Sequence, residues 1–162
     1  MAQLLNSLCV WLDQTALSQA IQATSWVVPT VQTVHILSVA VVITSALMLD
    51  LRLIGVVGVD QPLDRVWARF LPFVWWPLLI LLATGAIMII GEPTRSLKNP
   101  VFQLKMALLL GAMIVTGIVQ LLGRNSALAE DRPGVSSYLI VALSLLLWTG
   151  IVFAGRWIAY WS

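Results

Sequence analysis

The sequence has few of the charged residues that keep a protein soluble in water. Only 10% of its 162 residues are charged, whereas 60% are hydrophobic and the mean hydropathy is +0.96. Soluble domains carry about 25% charged residues, so this chain has too little polar surface to cover a water-soluble globule. Its nine cations leave a net charge of only +2, which is not the basic patch of a nucleic-acid-binding protein. The composition therefore predicts a small integral membrane protein that binds no nucleic acid.

Cysteine and histidine occur once each, as Cys9 and His35. One cysteine forms no intrachain disulfide, and one histidine per chain excludes a bis-histidine haem site within a single chain. Because no Lys or Arg precedes Arg52, the cationic segment of a secretory signal is missing and the first span is expected to be retained. None of the seven acidic residues lies in the middle of an apolar run, which disfavours a proton pump or coupled transporter.

Four apolar runs are long enough to cross a bilayer core of about 30 Å as helices. They cover approximately residues 25–49, 71–90, 101–123 and 136–160. In residues 1–24, apolar and polar side chains alternate near helical spacing, which is typical of a helix lying in the membrane interface. The sequence thus predicts an all-α fold, with an N-terminal amphipathic interfacial helix and an up-and-down four-helix membrane bundle over residues 25–162.

The loop charges predict the orientation. The loops after the first and third runs carry five arginines: Arg52, Arg65, Arg69, Arg124 and Arg132. The opposite side carries Arg95 and Lys98 in its loop. Since cytoplasmic loops carry the excess of Lys and Arg, we expect a bacterial inner-membrane protein with both termini on the outer, periplasmic side. A short interfacial helix is predicted to start at Asp60-Gln61-Pro62, with Asp60 as its cap and Pro62 in its first turn.

Three ionisable residues inside or at the edge of the runs mark a candidate site, since such residues usually have a function or a partner. His35 lies about 10 residues into the first run, ~15 Å from its outer edge. Lys105 and Arg156 lie near the outer ends of the third and fourth runs. This arrangement predicts an imidazole that binds a metal-centred cofactor such as haem b, below cations that neutralise its propionates; a quinone also suits it. Alternatively, Lys105 and Arg156 only snorkel to the interface, and His35 only bonds a neighbouring helix.

Gln32 and Met113 complete the predicted cofactor-binding set. Gln32 precedes His35 by three residues and so shares its helix face. Met113 lies at a depth close to that of His35 and is a candidate second haem ligand, although methionine is also a common filler of apolar cores. Haem binding through His35 would otherwise be five-coordinate or use a ligand from a partner subunit.

The inner end of the first run is interpreted as a structural anchor. Asp50 and Arg52 share neither a helix face nor a pairing interval, so we expect them to pair with Arg124 or other loop charges. Trp67 belongs to the inner aromatic belt, and Trp148 is expected to pack in mid-span.

The segments Ser25-Trp26, Asp50–Gly55 and Gly155–Tyr160, together with His35 and Lys105, resemble an uncharacterised family of small bacterial four-helix membrane proteins. The chain is more distantly similar to the copper-resistance D-type and protoporphyrinogen-oxidase J-type membrane families. The second resemblance implies that His35 matches a haem-ligating histidine, Arg52 the arginine after it and Lys105 a later lysine. The spacing from His35 to Arg52 is longer than in that family.

These patterns predict a haem- or quinone-binding accessory subunit of electron transfer, in a homo-oligomer or a larger membrane redox complex. Two alternatives stay open. One is a structural or assembly subunit without a cofactor, and the other is a small metal-handling or export protein.

Overall fold

A computed structural model describes residues 2–124, 134–158 and 160, and these form helices and turns with no strand. The predicted loop that contains Arg132 falls largely outside the described residues. The helices are α1 (Ala2–Asp13), α2 (Ala16–Ala23), α3 (Val27–Leu53), α4 (Leu63–Phe70), α5 (Pro72–Gly91), α6 (Pro93–Leu97), α7 (Pro100–Arg124) and α8 (Val135–Trp157).

Four of these helices, α3, α5, α7 and α8, are long and apolar enough to span a membrane. Their outward faces carry exposed leucine, isoleucine, valine and phenylalanine side chains. Hydrocarbon solvates such side chains, while each helix satisfies its backbone hydrogen bonds internally. The predicted all-α fold with four spanning helices is therefore confirmed.

The spanning helices pack as two antiparallel pairs. The α3 helix lies along α5, and α7 lies along α8. The pairs meet chiefly through α3 and α8, around a core that includes Val42, Leu78, Val141 and Trp148. Within the described residues α5 and α7 hardly touch, so this side of the bundle is open to lipid.

The helices α1, α2 and α6 lie at one end of the bundle, which we call the α6 end. Where the sequence predicts one helix over residues 1–24, the structure has two. The chain breaks because Thr15 caps α2, its Oγ1 accepting a hydrogen bond from the backbone N–H of Ser18 at 3.3 Å. The fully buried Ser18 donates to the carbonyl oxygen of Ile90 at 2.7 Å. Cys9 Sγ lies 3.8 Å from the carbonyl oxygen of Pro93, so both N-terminal helices are fixed to the bundle.

The α4 helix lies at the opposite end, which we call the α4 end. The chain leaves α3 through Gly55 and Gly58, whose φ angles of +72° and +65° are left-handed and favour glycine. The α4 helix begins at Leu63 and buries Val66 and Trp67, and it contacts α3, α5 and α7. This short helix therefore closes the bundle beneath the last turn of α3.

Candidate functional site

His35 is held at the α6 end by a hydrogen-bonded chain that runs into α5. It lies eight residues into α3, ~12 Å along the helix. Its Nδ1 is 2.8 Å from Oγ1 of the buried Thr84, and the Thr84 hydroxyl is 2.7 Å from the carbonyl oxygen of Ile80. A hydroxyl has one proton. When that proton goes to the carbonyl of Ile80, the imidazole must donate from Nδ1, and Nε2 keeps a free lone pair.

Gly85 of α5 lies beside the imidazole. A Cβ atom at this position would lie 3.8 Å from Cε1 of His35, which is ordinary van der Waals contact. The site therefore has space for an alanine at position 85, and it is Thr84 that contacts the ring through a hydrogen bond. His35 is only half-buried, so part of its side chain remains accessible from the bilayer side.

Lys105 approaches from the other helix pair. It lies one turn into α7 and is half-buried. Its side chain packs over Gly155 of α8, where a Cβ atom would lie 3.6 Å from the lysine Nζ. Lys105 and His35 thus lie at the same end of the bundle, one on each helix pair.

The donor set favours a cofactor over a bare metal ion. Among the described side chains, no three His, Cys, Asp or Glu residues converge as a metal site. A bare ion on His35 would therefore lack protein co-ligands, since structural and catalytic zinc sites need at least three. A porphyrin brings its own four nitrogen ligands and needs one axial imidazole. A metal-ligating histidine usually donates a hydrogen bond from its other ring nitrogen to a neighbouring group. His35 matches this when Nδ1 donates to Thr84 and Nε2 is free.

A second polar cluster lies at the α4 end, around Asp50. This side chain is 6% exposed, and its Oδ2 has no hydrogen-bond partner. The Ser144 hydroxyl of α8 is placed to donate to the carboxyl group. The indole N–H groups of Trp67 and Trp148, which are 6% and 5% exposed, also lack partners. Buried polar atoms are normally paired, so this cluster is unusual.

A profile of a family of unknown function, DUF6644, matches residues 9–161. The chain belongs to this family. The match includes both polar clusters, and it agrees with the predicted resemblance to an uncharacterised family. No curated protein and no solved structure matches the chain.

The other predicted site residues of this DUF6644 member have different surroundings. Gln32 is exposed one turn before His35, and Met113 is half-buried against the hydrophobic core. Arg156 is exposed, and its guanidinium donates to the Tyr160 hydroxyl at 2.8 Å while lying 5.2 Å from the centre of the Tyr160 ring. His35 and Lys105 share the α6 end of the bundle, whereas Arg156 has a partner near its own helix.

The Asp50 cluster is the group of residues that sequence reasoning missed in this DUF6644 member. The sequence predicts that Asp50 and Arg52 pair with Arg124 or other loop charges. Arg52 donates to the carbonyl oxygen of Gln61 at 2.7 Å, and the Arg124 side chain lies outside the described residues. The sequence shows an acidic residue, Asp50, at the end of one apolar run. It also shows serine and tryptophan in other segments, as potential hydrogen-bond donors. That signal becomes meaningful only once α4 and α8 are known to cover the carboxyl group.

Proposed function

We propose that the protein is a membrane electron-transfer subunit that binds one haem b through Nε2 of His35. The observation that carries the proposal is the chain from His35 to Thr84 to Ile80. It fixes the tautomer and orientation of the imidazole and leaves one nitrogen lone pair for iron. When bound, the haem supplies one-electron redox chemistry. The protein's own part is to hold the axial imidazole and to set the polarity around the iron.

Lys105 supplies the charge that such a cofactor requires. Haem propionates are anionic, and an ammonium group in a low-dielectric surrounding stabilises an anion more strongly than it does in water. Lys105 lies nearer the membrane surface than His35, since it is only one turn from the start of α7. It is the cation that we expect to pair with a propionate.

The distant resemblance to the protoporphyrinogen-oxidase J-type family supports the same roles for His35 and Lys105. In the accessory role, the chain would exchange electrons with a second copy or with a larger membrane redox complex. The excess of arginine at the α4 end supports an orientation in a bacterial inner membrane with the α6 end on the outer side.

Quinone binding is the second candidate, and the exposure of the site favours it. His35 and Lys105 are half-buried rather than enclosed, and the bundle is open between α5 and α7, so a ligand dissolved in the bilayer could reach them sideways. A quinone carbonyl would accept a hydrogen bond from the Lys105 ammonium, and a quinol hydroxyl would donate to Nε2 of His35.

The test is the visible spectrum of the protein purified in mild detergent from haem-replete cells. We expect a Soret band that His35→Ala abolishes and Lys105→Met weakens. Ser38→Ala is the matched control, because Ser38 is buried on the same helix but bonds the carbonyl oxygen of Val34 at 2.8 Å. This variant should keep the wild-type spectrum.

Three outcomes separate the candidates. A Soret band that survives His35→Ala would overturn the assigned ligand. A colourless protein that yields quinone on extraction, and loses it in His35→Ala, would favour the second candidate. A colourless protein without quinone, unchanged by added haem, would leave a cofactor-free structural or assembly subunit.

A further inference from the structure

Among the described residues, the buried carboxyl group of Asp50 has no cation partner. Within the described residues an ion pair joins only Glu92 and Arg95. Arg52 is engaged with the carbonyl oxygen of Gln61, so it does not neutralise Asp50. An isolated carboxylate is very costly to bury, and such a group is usually paired or takes up a proton.

Asp50 forms part of the wall of two cavities. The first is small, with about 20 Å³ of free space, and its polar lining comes from Asp50, Trp67, Thr116 and Ser144. The second, of about 280 Å³, is lined by Asp50, Trp148, Thr149 and five apolar residues. The unpartnered indole N–H groups therefore belong to one cavity each, and the carboxyl group is common to both.

The small cavity fits one water molecule. A buried water needs at least ~10–15 Å³ of free space and two to four polar partners, and the cavity provides both. The polar side chains that line the cavity also favour water over a metal cation. Trp67 can only donate a hydrogen bond, so a metal cation would meet its N–H dipole unfavourably. Oδ2 of Asp50 needs a donor, and water can donate to it while accepting from the indole.

No other titratable side chain lines either cavity. The charged residues of α4, Asp64, Arg65 and Arg69, are exposed, as is Tyr138 of α8. No residue of α5 is acidic, basic or a tyrosine. Asp50 is thus the titratable group of this cluster among the described side chains.

We propose that Asp50 is a hydrated proton-exchange site. Its carboxyl group gives a proton to the oxygen of a water molecule in the small cavity, which leaves a carboxylate and a hydronium ion, and it regains the proton by the reverse step. The larger cavity borders the same carboxyl group. The proposal does not depend on cofactor binding, because Asp50 lies 15 residues beyond His35 on α3, ~22 Å along the helix.

The test uses dicyclohexylcarbodiimide, an apolar reagent that reacts with protonated carboxylic acids in apolar surroundings. The acid proton passes to the carbodiimide nitrogen, a carboxylate oxygen adds to its carbon, and rearrangement leaves a stable adduct. The full-length protein in phosphatidylcholine nanodiscs should gain one adduct on the peptide that contains Asp50. The labelling rate should fall as the pH rises, because the reagent needs the neutral acid.

The exposed Asp64 is the internal control and should stay unlabelled. Equal labelling of both residues, or an Asp50 that reacts only after denaturation, would overturn the proposal. Mapping the adduct in the wild-type protein needs no variant, so the result holds even if Asp50→Asn fails to fold. If sodium chloride, but not choline chloride, protects Asp50 from carbodiimide labelling, Asp50 binds a metal cation. That result would also overturn the proposal of a proton-exchange site.

Trp67→Phe tests the role of the water molecule. Losing the indole N–H removes one polar partner of the water, so the carboxylate is less well solvated and labelling should become about threefold to tenfold faster. Trp76→Phe is the matched control, because Trp76 is 68% exposed, and it should leave the rate unchanged. Identical rates in the two variants would contradict the hydrated site.

Discussion

The two polar clusters of this bundle differ in how far their buried polar atoms are hydrogen-bonded. At the α6 end, Nδ1 of His35 is hydrogen-bonded to the Thr84 hydroxyl, and Thr84 donates a hydrogen bond to the carbonyl oxygen of Ile80. In this arrangement Nδ1 is the donor, and Nε2 keeps its lone pair. At the α4 end, Oδ2 of Asp50 and the indole nitrogens of Trp67 and Trp148 have no protein partner.

This difference indicates two kinds of guest. The half-buried His35 side chain is accessible from lipid, as the proposed cofactor requires. The smaller cavity beside Asp50 has space for one water molecule, which can both donate and accept hydrogen bonds. Because an unsatisfied buried polar group costs about 1–3 kcal/mol, the second cluster gains more from a small polar guest than the first.

Of the changes that distinguish the two ends of the bundle, we expect Thr84→Val to have the largest effect. This change keeps the shape of the side chain but removes the acceptor of the His35 Nδ1–H bond. Loss of such a supporting partner lowers the affinity of a ligating histidine about 10- to 100-fold. Haem titration followed at the Soret band measures it.

Labelling of Asp50 by the carbodiimide should be unchanged in Thr84→Val, because the two clusters lie far apart on α3. A variant that binds haem with wild-type affinity would show that Thr84 does not orient the imidazole. A variant in which both readouts change would instead show that the two ends form one coupled site.

A smaller effect, of about tenfold, is expected from Ser144→Ala at the α4 end. The Ser144 hydroxyl donates to the Asp50 carboxylate and stabilises its ionised form, and hydrogen bonds to charged groups contribute about 1.5–3 kcal/mol. Its loss should favour the neutral acid and accelerate carbodiimide labelling. Haem affinity should stay at the wild-type value. A slower or unchanged labelling rate would contradict the assigned hydrogen bond.

Much of the fold follows from composition and run length. Four apolar segments of about 20 residues can be little else than spanning helices, because lipid leaves the backbone no external partner. The exact residues at which the helices begin and end are predicted less well from the sequence. The cap at Thr15 divides the N-terminal segment, and α4 begins at Leu63 rather than at the Asp60-Gln61-Pro62 turn.

The partners of the site residues could not be predicted in the same way. That His35 is significant follows from its being the chain's single histidine inside a span. That Thr84 orients it depends on the pairing of α3 with α5, which brings together residues 49 positions apart. The burial of Asp50 likewise depends on the return of α4 over the end of α3, and periodicity within one segment carries no information on such contacts.

The smallest effect is expected from Arg156→Gln, which tests how far the α6 site extends. The exposed guanidinium is already engaged with Tyr160, both by a hydrogen bond of 2.8 Å and by contact with the ring. Exposed polar pairs of this kind contribute little, so we expect haem affinity to change less than twofold. Lys105→Met measured in the same titration provides the comparison, since Lys105 is half-buried and packs over Gly155 of α8. If Arg156→Gln weakens haem binding as much as Lys105→Met, Arg156 leaves Tyr160 to pair with the cofactor, and the site includes both cations that the sequence predicts.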